Sequence, residues 1–392
     1  MADSRHVPAP AAAAPGPASR LHSALRWDVF CRVVDNFGDV GFCWRLCADL
    51  ARRGQWVRLW VDDPSALEWM AAGARPDVEV RHWSARFPDT SPGDVVVEAF
   101  ACDPPETFVA AMARAPVAPL WINLEYLSAE RWVERVHRLP SPQWHGTSAG
   151  LTKWFFHPGF TAATGGLLRE PDLLQARDTF DAAAWRRAQG LTIAPGERLV
   201  TLFCYTQAAL PALMAALAQA PTLLATTQGH ATQQVRALPL PRTVRQIALP
   251  WLSQTDYDRL LWSADLNFVR GEDTPVRAIW AGRPFVWQLY PQEDGAHIAK
   301  WRAFLDHWLA HSGASAPLAA QVSTLWARWN ATAAQDITLP RTGAGSEWAQ
   351  ASMRYRDRQA EQDDLTTQLL RFVAERLAGG RGARTAPKTP AG

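Results

Sequence analysis

Two acidic residues follow the first strongly apolar run of the chain, in a position that suits them to chemistry. The run that starts at Trp27 leads into a loop with Asp35, Asn36, Asp39 and two glycines, and an apolar helical pattern begins at Cys43. This order predicts a strand, a tight turn and a helix, as at the start of an open α/β sheet. Ligands of such sheets bind beyond the carboxyl ends of the strands, so Asp35 and Asp39 are candidate functional acids. Alternatively, Asp35 or Asn36 caps the helix, and Asp39 only stabilises the first helical turn through its negative charge.

A second candidate site lies between positions 267 and 277, where another strand pattern ends. Gly271 permits a close turn, and Thr274 followed by Pro275 predicts the N-cap and the first position of a helix. The free N–H groups and the positive dipole end of that helix suit a diphosphate. Arg270 would add positive charge to the same place.

The acids beside this turn indicate a sugar as well as a phosphate. Glu272 and Asp273 would repel a phosphate, but they are suited to accept hydrogen bonds from sugar or ribose hydroxyls. The alternative is a local ion-pair network of Arg270, Glu272 and Asp273 around a capped helix. The pattern leaves both interpretations open.

Aromatic residues follow three further strand patterns of the second half of the chain. Phe203 and Tyr205 end one, Trp251 follows another, and Tyr290 with Gln292 ends a third. A single aromatic residue is more often part of a core than a stacking surface. Because all three groups fall just after strands of one sheet, together they favour a nucleotide pocket in which a ring stacks on a base.

Alternating strand and helix patterns must position these residues. In the first half, strands are predicted at 27–34, 56–61, 78–83, 94–100 and 120–124, with helices at 43–51, 65–72 and 107–114. In the second half, strands are predicted at 198–205, 222–226, 245–249, 265–269 and 284–289, with helices at 210–220, 256–263, from 275 onward and at 294–307. This alternation predicts largely parallel sheets. The stretch 140–166 has no steady period and is interpreted as a long irregular segment with a function.

The pattern divides the chain into two α/β units of similar size. The boundary is predicted near Phe180, with 181–189 as a connecting helix, and a long helical stretch at 348–377 is expected to return to the first unit. The predicted domains are therefore 25–180 plus 348–378, and 181–347. Residues 1–24 and 379–392, rich in Ala, Pro, Gly and Thr, are predicted to be disordered.

Composition excludes several classes of protein. The 392 residues carry a net charge of only +2, which gives no electrostatic reason to propose a nucleic-acid partner. The odd number of cysteines, 5, predicts reduced, buried thiols in a cytoplasmic protein rather than a disulfide framework. No apolar run approaches the length of a membrane span, and the N-terminus lacks the pattern of a secretory signal.

Known cofactor motifs are also missing from the sequence. The segment 37–42 lacks the G-x-G-x-x-G spacing, no P-loop occurs, and no nucleophile elbow is present. Cys43 and Cys47 have no second pair, and Asp62 and Asp63 are typical of a helix-capping turn, so a metal site is not expected. We therefore expect neither a bound cofactor nor a metal.

Two long motifs resemble those of the elongation factor P arginine rhamnosyltransferases (EarP). They are Val33–Leu46 and Leu266–Asp273, and the resemblance extends from about Trp27 to Leu377 with the downstream Trp287, Tyr290–Gln292 and His297. It implies two facing Rossmann-like domains of the GT-B class, of which 25–180 plus 348–378 would bind the acceptor and 181–347 the donor. It also implies transfer of L-rhamnose, with inversion, from dTDP-β-L-rhamnose to an arginine of elongation factor P, which acts on ribosomes stalled at polyproline.

The resemblance also implies roles for individual residues. Asp39 is expected to be the general base and Asp35 the acid that orients the guanidinium, with Asn36, Phe37 and Gly38 on the acceptor side. A protonated guanidinium is a poor nucleophile, and a carboxylate pair can align it and remove its proton. The predicted donor site comprises Phe203, Tyr205, Trp251, Arg270, Gly271, Glu272, Asp273, Thr274, Tyr290 and Gln292.

Two positions depart from the family pattern. Trp251 stands where a Phe usually stacks on thymine, and Thr274–Pro275 replaces a more usual Ser and apolar residue. Three other readings stay open: a GT-B transferase or epimerase for a small molecule, a non-catalytic nucleotide-sugar-binding protein, and, more remotely, a dehydrogenase. The stretch 140–166 is a hypothetical docking surface for the protein acceptor.

Overall fold

The structure is a computed structural model, and it describes residues 24–34, 37–72, 77–84, 87–292 and 295–382. Asp35 and Asn36, two of the predicted site residues, lie outside the described residues. So do residues 1–23 of the predicted N-terminal arm and residues 383–392 of the predicted tail. The final helix extends to Gly382, so the first part of the predicted tail is helical.

The first sheet has seven strands in the order β3-β2-β1-β4-β5-β7-β6, parallel except for β6. Residues alternate between its two faces, as a strand period of two requires. Val29 packs on one side with the first and last helices, whereas Phe30 packs on the other side with Phe108. The strands are β1 Arg26–Cys31, β2 Trp56–Val61, β3 Val78–His82, β4 Val95–Ala99, β5 Leu120–Leu124, β6 Pro140–Pro142 and β7 Thr152–Phe156.

The helices of this domain include a long one that starts immediately after the first loop. They are α1 Gly38–Arg52, α2 Leu67–Met70, α3 Glu106–Arg114 and α4 Trp132–Val136. α1 begins five residues before Cys43, at a glycine that the apolar pattern does not mark.

The expectation of an irregular stretch at 140–166 is wrong for its first part, although 157–166 forms no helix or strand. The first part contains β6 and β7, and β7 pairs with β5. Lys153 breaks the apolar pattern of β7, but its ammonium group is paired with Glu98 at 2.6 Å and lies 4.3 Å from the centre of the Trp121 ring. The proposed docking role of this stretch stays a prediction.

The second sheet has five parallel strands in the order β10-β9-β8-β11-β12. The predicted connecting helix is present as α6, whose Trp185 packs into this domain. The strands are β8 Arg198–Leu202, β9 Thr222–Thr226, β10 Val244–Ala248, β11 Leu266–Arg270 and β12 Phe285–Gln288. The helices are α5 Leu173–Asp178, α6 Ala182–Ala188, α7 Leu210–Leu217, α8 His230–Arg236, α9 Gln254–Ser263, α10 Asp273–Ala281, α11 Ala296–Ser312 and α12 Ala316–Trp329.

The single long helix expected at 348–377 is two helices, α13 Glu347–Ala360 and α14 Leu365–Gly382. The break falls at Asp364, whose side chain accepts a hydrogen bond from the Thr367 N–H at 2.9 Å and so starts a new helix. Tyr355 of α13 packs in the second-domain core, whereas Phe372 of α14 packs against the first sheet. The chain therefore crosses back between these helices, and the domain boundaries themselves stay a prediction.

The two sheets are brought together by helices that follow their strands. α1 of the first domain contacts α10 of the second, and the carboxyl ends of β1 and β11 lead into these two helices. Among the described helices, none combines the length and apolar character needed to cross a bilayer.

Candidate active site

A cavity of about 360 Å³ lies between the two domains. The first domain contributes the start of α1 and the short helix α2 to its walls. The second contributes the ends of β8, β9 and β11 and the loop before α9. Its lining residues include Phe37, Gly38, Gly41, Trp69, Phe203, Trp251, Arg270, Gly271, Glu272, Asp273 and Thr274. Seven of the ten predicted donor residues therefore meet in one cleft with two of the predicted acceptor-side residues.

Arg270 ends β11 and supplies a cation to the cavity. Its guanidinium carbon lies 4.5 Å from the centre of the Phe203 ring and 4.2 Å from that of Tyr205, so two aromatic faces hold the group. The residue is only 8% exposed, and its buried Nη1 has no hydrogen-bond partner among the described residues. A buried donor without an acceptor is costly, so this position is suited to an anionic ligand.

The turn after β11 has a different cap from the one predicted. Gly271 has φ +73°, and the N-cap position belongs to Glu272 instead of Thr274. The Thr274 hydroxyl donates a short hydrogen bond back to the Arg270 carbonyl, and that bond tightens the turn. Since the helix starts two residues earlier than expected, its first N–H groups lie next to Gly271 and Arg270, where a phosphate would be favoured.

The acids of this turn are paired, but not with Arg270. Glu272 accepts from Lys300 of α11 at 2.8 Å, and Asp273 accepts from Arg45 of α1 at 3.1 Å. Burial raises the pKa of Asp273, while Arg45 and Arg277 act in the opposite direction. The predicted local ion-pair network is therefore present in a different form. Its two acids pair with Lys300 of α11 and Arg45 of α1 instead of with Arg270.

The predicted aromatic residues divide into two groups. Trp251 is half-exposed at the cavity, 4.6 Å from the ring of Trp69 and 5.8 Å from that of Phe37, so aromatic groups of both domains meet there. Tyr205 is buried beside Arg270, and exposed Tyr290 packs edge-on against it at 5.4 Å. Gln292 follows Tyr290, and its backbone N–H donates to His297 Nδ1 at 3.0 Å.

Asp39 is buried in the first turn of α1, between the cavity-lining residues Gly38 and Gly41. Its Oδ2 accepts a hydrogen bond from the Val34 N–H at 3.0 Å, which draws the preceding loop towards the helix. The N-cap position is occupied by Phe37, whose side chain makes no capping hydrogen bond. Asp39 is only 1% exposed and is not itself among the residues that line the cavity, so its observed contact is with the loop and its catalytic role stays a prediction.

Some cavity residues could not be identified from the sequence. Trp69 lies in the short helix α2, and Tyr257 and Gln254 lie in α9, with no motif around them. Arg45 lies among apolar residues of α1 and no sequence motif marks it. Its partners Asp258 and Asp273 are in the other domain, so the contact exists only when the two domains are packed together. Only Gly229, at φ +87° before α8, could have indicated from the sequence that a turn lies there.

No group of three or more His, Cys, Asp or Glu side chains converges on a metal position in the described ranges. The expectation that the protein works without a metal stays a prediction.

Two parallel-sheet α/β domains with a ligand cleft between them define a glycosyltransferase of the GT-B class. One similar solved structure is described as the structural basis for EarP-mediated arginine glycosylation of translation elongation factor EF-P. It has a TM-score of 0.60 and 30% identity, and the match covers 90% of this chain and 99% of that one.

The chain belongs to the family described as elongation factor P (EF-P) rhamnosyltransferase EarP, which matches residues 27–374. Two relatives are named protein-arginine rhamnosyltransferase. The Pseudomonas aeruginosa protein is 42% identical, with 90% of this chain and 99% of the relative covered. The Pseudomonas putida protein is 44% identical with the same coverage of both chains. The predicted family and fold class are confirmed.

Proposed function

We propose that this protein transfers L-rhamnose from dTDP-β-L-rhamnose to an arginine side chain of elongation factor P, with inversion at the anomeric carbon. The family and the names of the relatives support the sugar and the acceptor. The donor assignment rests mainly on one observation. Arg270 lines the interdomain cavity, and its buried Nη1 has no hydrogen-bond partner among the described residues. An acceptor that is a translation factor favours reaction in the cytoplasm.

The donor would lie along the second-domain wall of the cleft. Arg270 and the N–H groups at the start of α10 are suited to the diphosphate, whose negative charge grows as the bond to the sugar breaks. Trp251 presents a half-exposed ring on which thymine can stack. Glu272 is the carboxylate best placed on this turn to accept hydrogen bonds from sugar hydroxyls.

The acceptor guanidinium would enter from the first-domain side, near Phe37, Gly38 and Asp39. One guanidinium nitrogen attacks the anomeric carbon, and the bond from that carbon to the diphosphate oxygen breaks. Its electron pair leaves with dTDP, and the proton of the attacking nitrogen passes to the Asp39 carboxylate. Attack opposite the leaving group inverts the configuration. Asp35, outside the described residues, is proposed to orient the guanidinium.

The test mixes the full-length protein with dTDP-β-L-rhamnose and elongation factor P and measures the intact mass of the acceptor. We expect the addition of one deoxyhexose. Asp39→Asn should lower the rate by about 100-fold or more, because the amide cannot take the proton. Its oxygen can still accept from the Val34 N–H, so the loop contact is retained. Asp63→Asn, in an exposed turn, is the control and should match the wild type.

Transfer by Asp39→Asn at the wild-type rate would overturn the role of Asp39. Failure to modify elongation factor P, combined with turnover of another donor and acceptor pair, would overturn the proposed function. That outcome would favour a GT-B transferase or epimerase for a small molecule.

A further inference from the structure

Arg45 is buried in α1 of the first domain, yet its side chain binds acids of the second. Nε donates to Asp273 Oδ2 at 3.1 Å. Nη1 and Nη2 reach the two carboxylate oxygens of Asp258 at 3.1 and 3.0 Å. Asp258 belongs to α9 and Asp273 begins α10, so one guanidinium joins three helices from both domains.

The remaining donors of Arg45 are also used. Nη1 contacts Glu170 at 3.5 Å, and Nη2 donates to the backbone carbonyl of Gln254 at 3.3 Å. All five N–H groups of the guanidinium therefore have acceptors, which only the planar fork of an arginine can supply. A second bond crosses the same contact, because Gln254 Nε2 donates to the Gly41 carbonyl at 2.7 Å.

Arg277 shares two of these acids but performs a different task. It binds Asp258 through Nε and Nη2 at 2.9 and 2.7 Å, and Glu170 through Nη1 at 2.8 Å. Arg277 belongs to α10, so its bonds join α10 to α9 and to the segment before α5, and none of them reaches α1. Loss of Arg45 would leave Asp258 paired with Arg277, but it would remove the paired cation of Asp273 and the link to α1.

The Arg45–Asp273 ion pair joins the helix that carries the proposed base to the helix whose start is the proposed diphosphate site. Asp39 is six residues before Arg45 on α1, and Asp273 follows directly after Arg270, Gly271 and Glu272. We propose that Arg45 is a positioning residue that holds the proposed base on α1 at reacting distance from the donor bound at the start of α10. This inference rests on the proposed function.

Buried ion pairs of this kind add little net stability, because desolvation of the charges offsets their attraction. Their geometry is demanding, however, and a displacement of about 1 Å at a reacting centre can cost about 100-fold in rate. Arg45 should therefore influence turnover more than it influences the affinity for either substrate.

The experiment compares Arg45→Lys and the milder Gln254→Met with Arg53→Lys. Arg53 is a matched control because it is the C-cap residue of α1 and is ion-paired to Asp49 and Asp364 at 3.0 and 2.8 Å within the first domain. For each protein we would measure kcat and KM with dTDP-β-L-rhamnose and elongation factor P, and the Kd of dTDP by calorimetry. Small-angle scattering without ligand would measure the separation of the domains.

We expect Arg45→Lys to lower kcat by about 100-fold, with KM and the Kd of dTDP within about threefold of the wild type. Gln254→Met should lower kcat less, and Arg53→Lys should leave it unchanged. The radius of gyration should increase for Arg45→Lys and not for Arg53→Lys.

Equal kcat values for the Arg45 and Arg53 variants would overturn the proposal. So would a higher KM for the donor at unchanged kcat, which would make Arg45 a donor-binding residue instead. If the wild type does not use dTDP-β-L-rhamnose at all, the proposed function fails. The scattering comparison still decides whether Arg45 holds the domains together.

Discussion

The guanidinium of Arg270 is held in the cleft by two aromatic rings rather than by acids. Its neighbours on the turn, Glu272 and Asp273, are paired with Lys300 and Arg45. Because their charges are already balanced by those cations, Arg270 is the basic side chain of the turn whose charge is left for a ligand. A planar, stacked cation of this kind presents its N–H groups in a fixed direction, which suits the oxygens of a diphosphate.

Arg270→Lys tests whether this geometry matters beyond the charge. The ammonium of a lysine keeps the charge but cannot stack between Phe203 and Tyr205 or present the same fork of donors. We expect the Kd of dTDP to rise by about 10- to 100-fold, as for the loss of a charge-assisted hydrogen bond. Calorimetry measures this change, with Arg259→Lys, in a half-exposed ion pair with Asp256, as control. An unchanged Kd would exclude a diphosphate from this position.

Trp251 provides a second test at the level of one residue. Its half-exposed ring lies against Trp69 of the other domain and is proposed to stack on thymine. Trp251→Ala should weaken dTDP binding by about 1–3 kcal/mol, whereas Trp251→Phe should retain most of the affinity. The same calorimetric titration measures both variants, and equal affinities of the Ala and Phe variants would contradict stacking.

At the scale of elements, local patterns predict the sheets well and the site only partly. The ranges predicted for β2, β5 and β9 match the structure, because short apolar runs bounded by turn residues define buried strands. Helix ends are less certain. Thr274 has the sequence of an N-cap, but its hydroxyl bonds to the Arg270 carbonyl instead.

Contacts between distant parts of the chain explain what the sequence could not show. Arg45 and Asp273 are 228 positions apart, and no local period marks their contact. The same holds for Trp69 and Trp251, which meet only when the domains face each other. The break at Asp364 depends on one side-chain hydrogen bond within an otherwise continuous helical pattern.

The segment between β7 and α5 contributes a titratable group to the contact between α1 and α10. Burial alone would raise the pKa of Glu170, but Arg277 and Arg45 lower it to about 2 from 4.5. A carboxyl whose pKa is lowered on folding stabilises the protein above its unfolded pKa, and this contribution is lost as pH falls towards the folded pKa. Between about pH 5 and pH 3, the wild type should lose about 2 kcal/mol more free energy of unfolding than Glu170→Gln.

Urea unfolding at several pH values in this range measures the difference. Glu361→Gln, at an exposed position after α13, is the control and should follow the pH dependence of the wild type. Parallel pH profiles for the wild type and Glu170→Gln would show that the arginines do not hold this carboxyl in its charged form.

On the scale of the whole molecule, the two sheets pack in different cores but share one cleft, and Leu127, Phe160 and Leu167 of the first half of the chain pack in the core of the second sheet. The first sheet packs with α1 and α14, and the second packs with α10, α11 and α13. The cavity has walls from both domains. A nucleotide bound mainly by the second domain should therefore also restrain the first, because any opening of the cleft would separate it from Phe37, Gly41 and Trp69.

Hydrogen exchange measures this coupling. At about 100 times the Kd, dTDP should stabilise the closed, bound form by about 2.7 kcal/mol and slow exchange that requires opening of the cleft. We expect slower exchange at the start of α10 and also in the first turn of α1 and in α2, although the diphosphate is proposed to contact neither. α3, on the opposite face of the first sheet, is the internal control and should exchange at an unchanged rate. Protection confined to the second domain would mean that the nucleotide does not draw the two walls of the cleft together, and that closure must then await the protein acceptor.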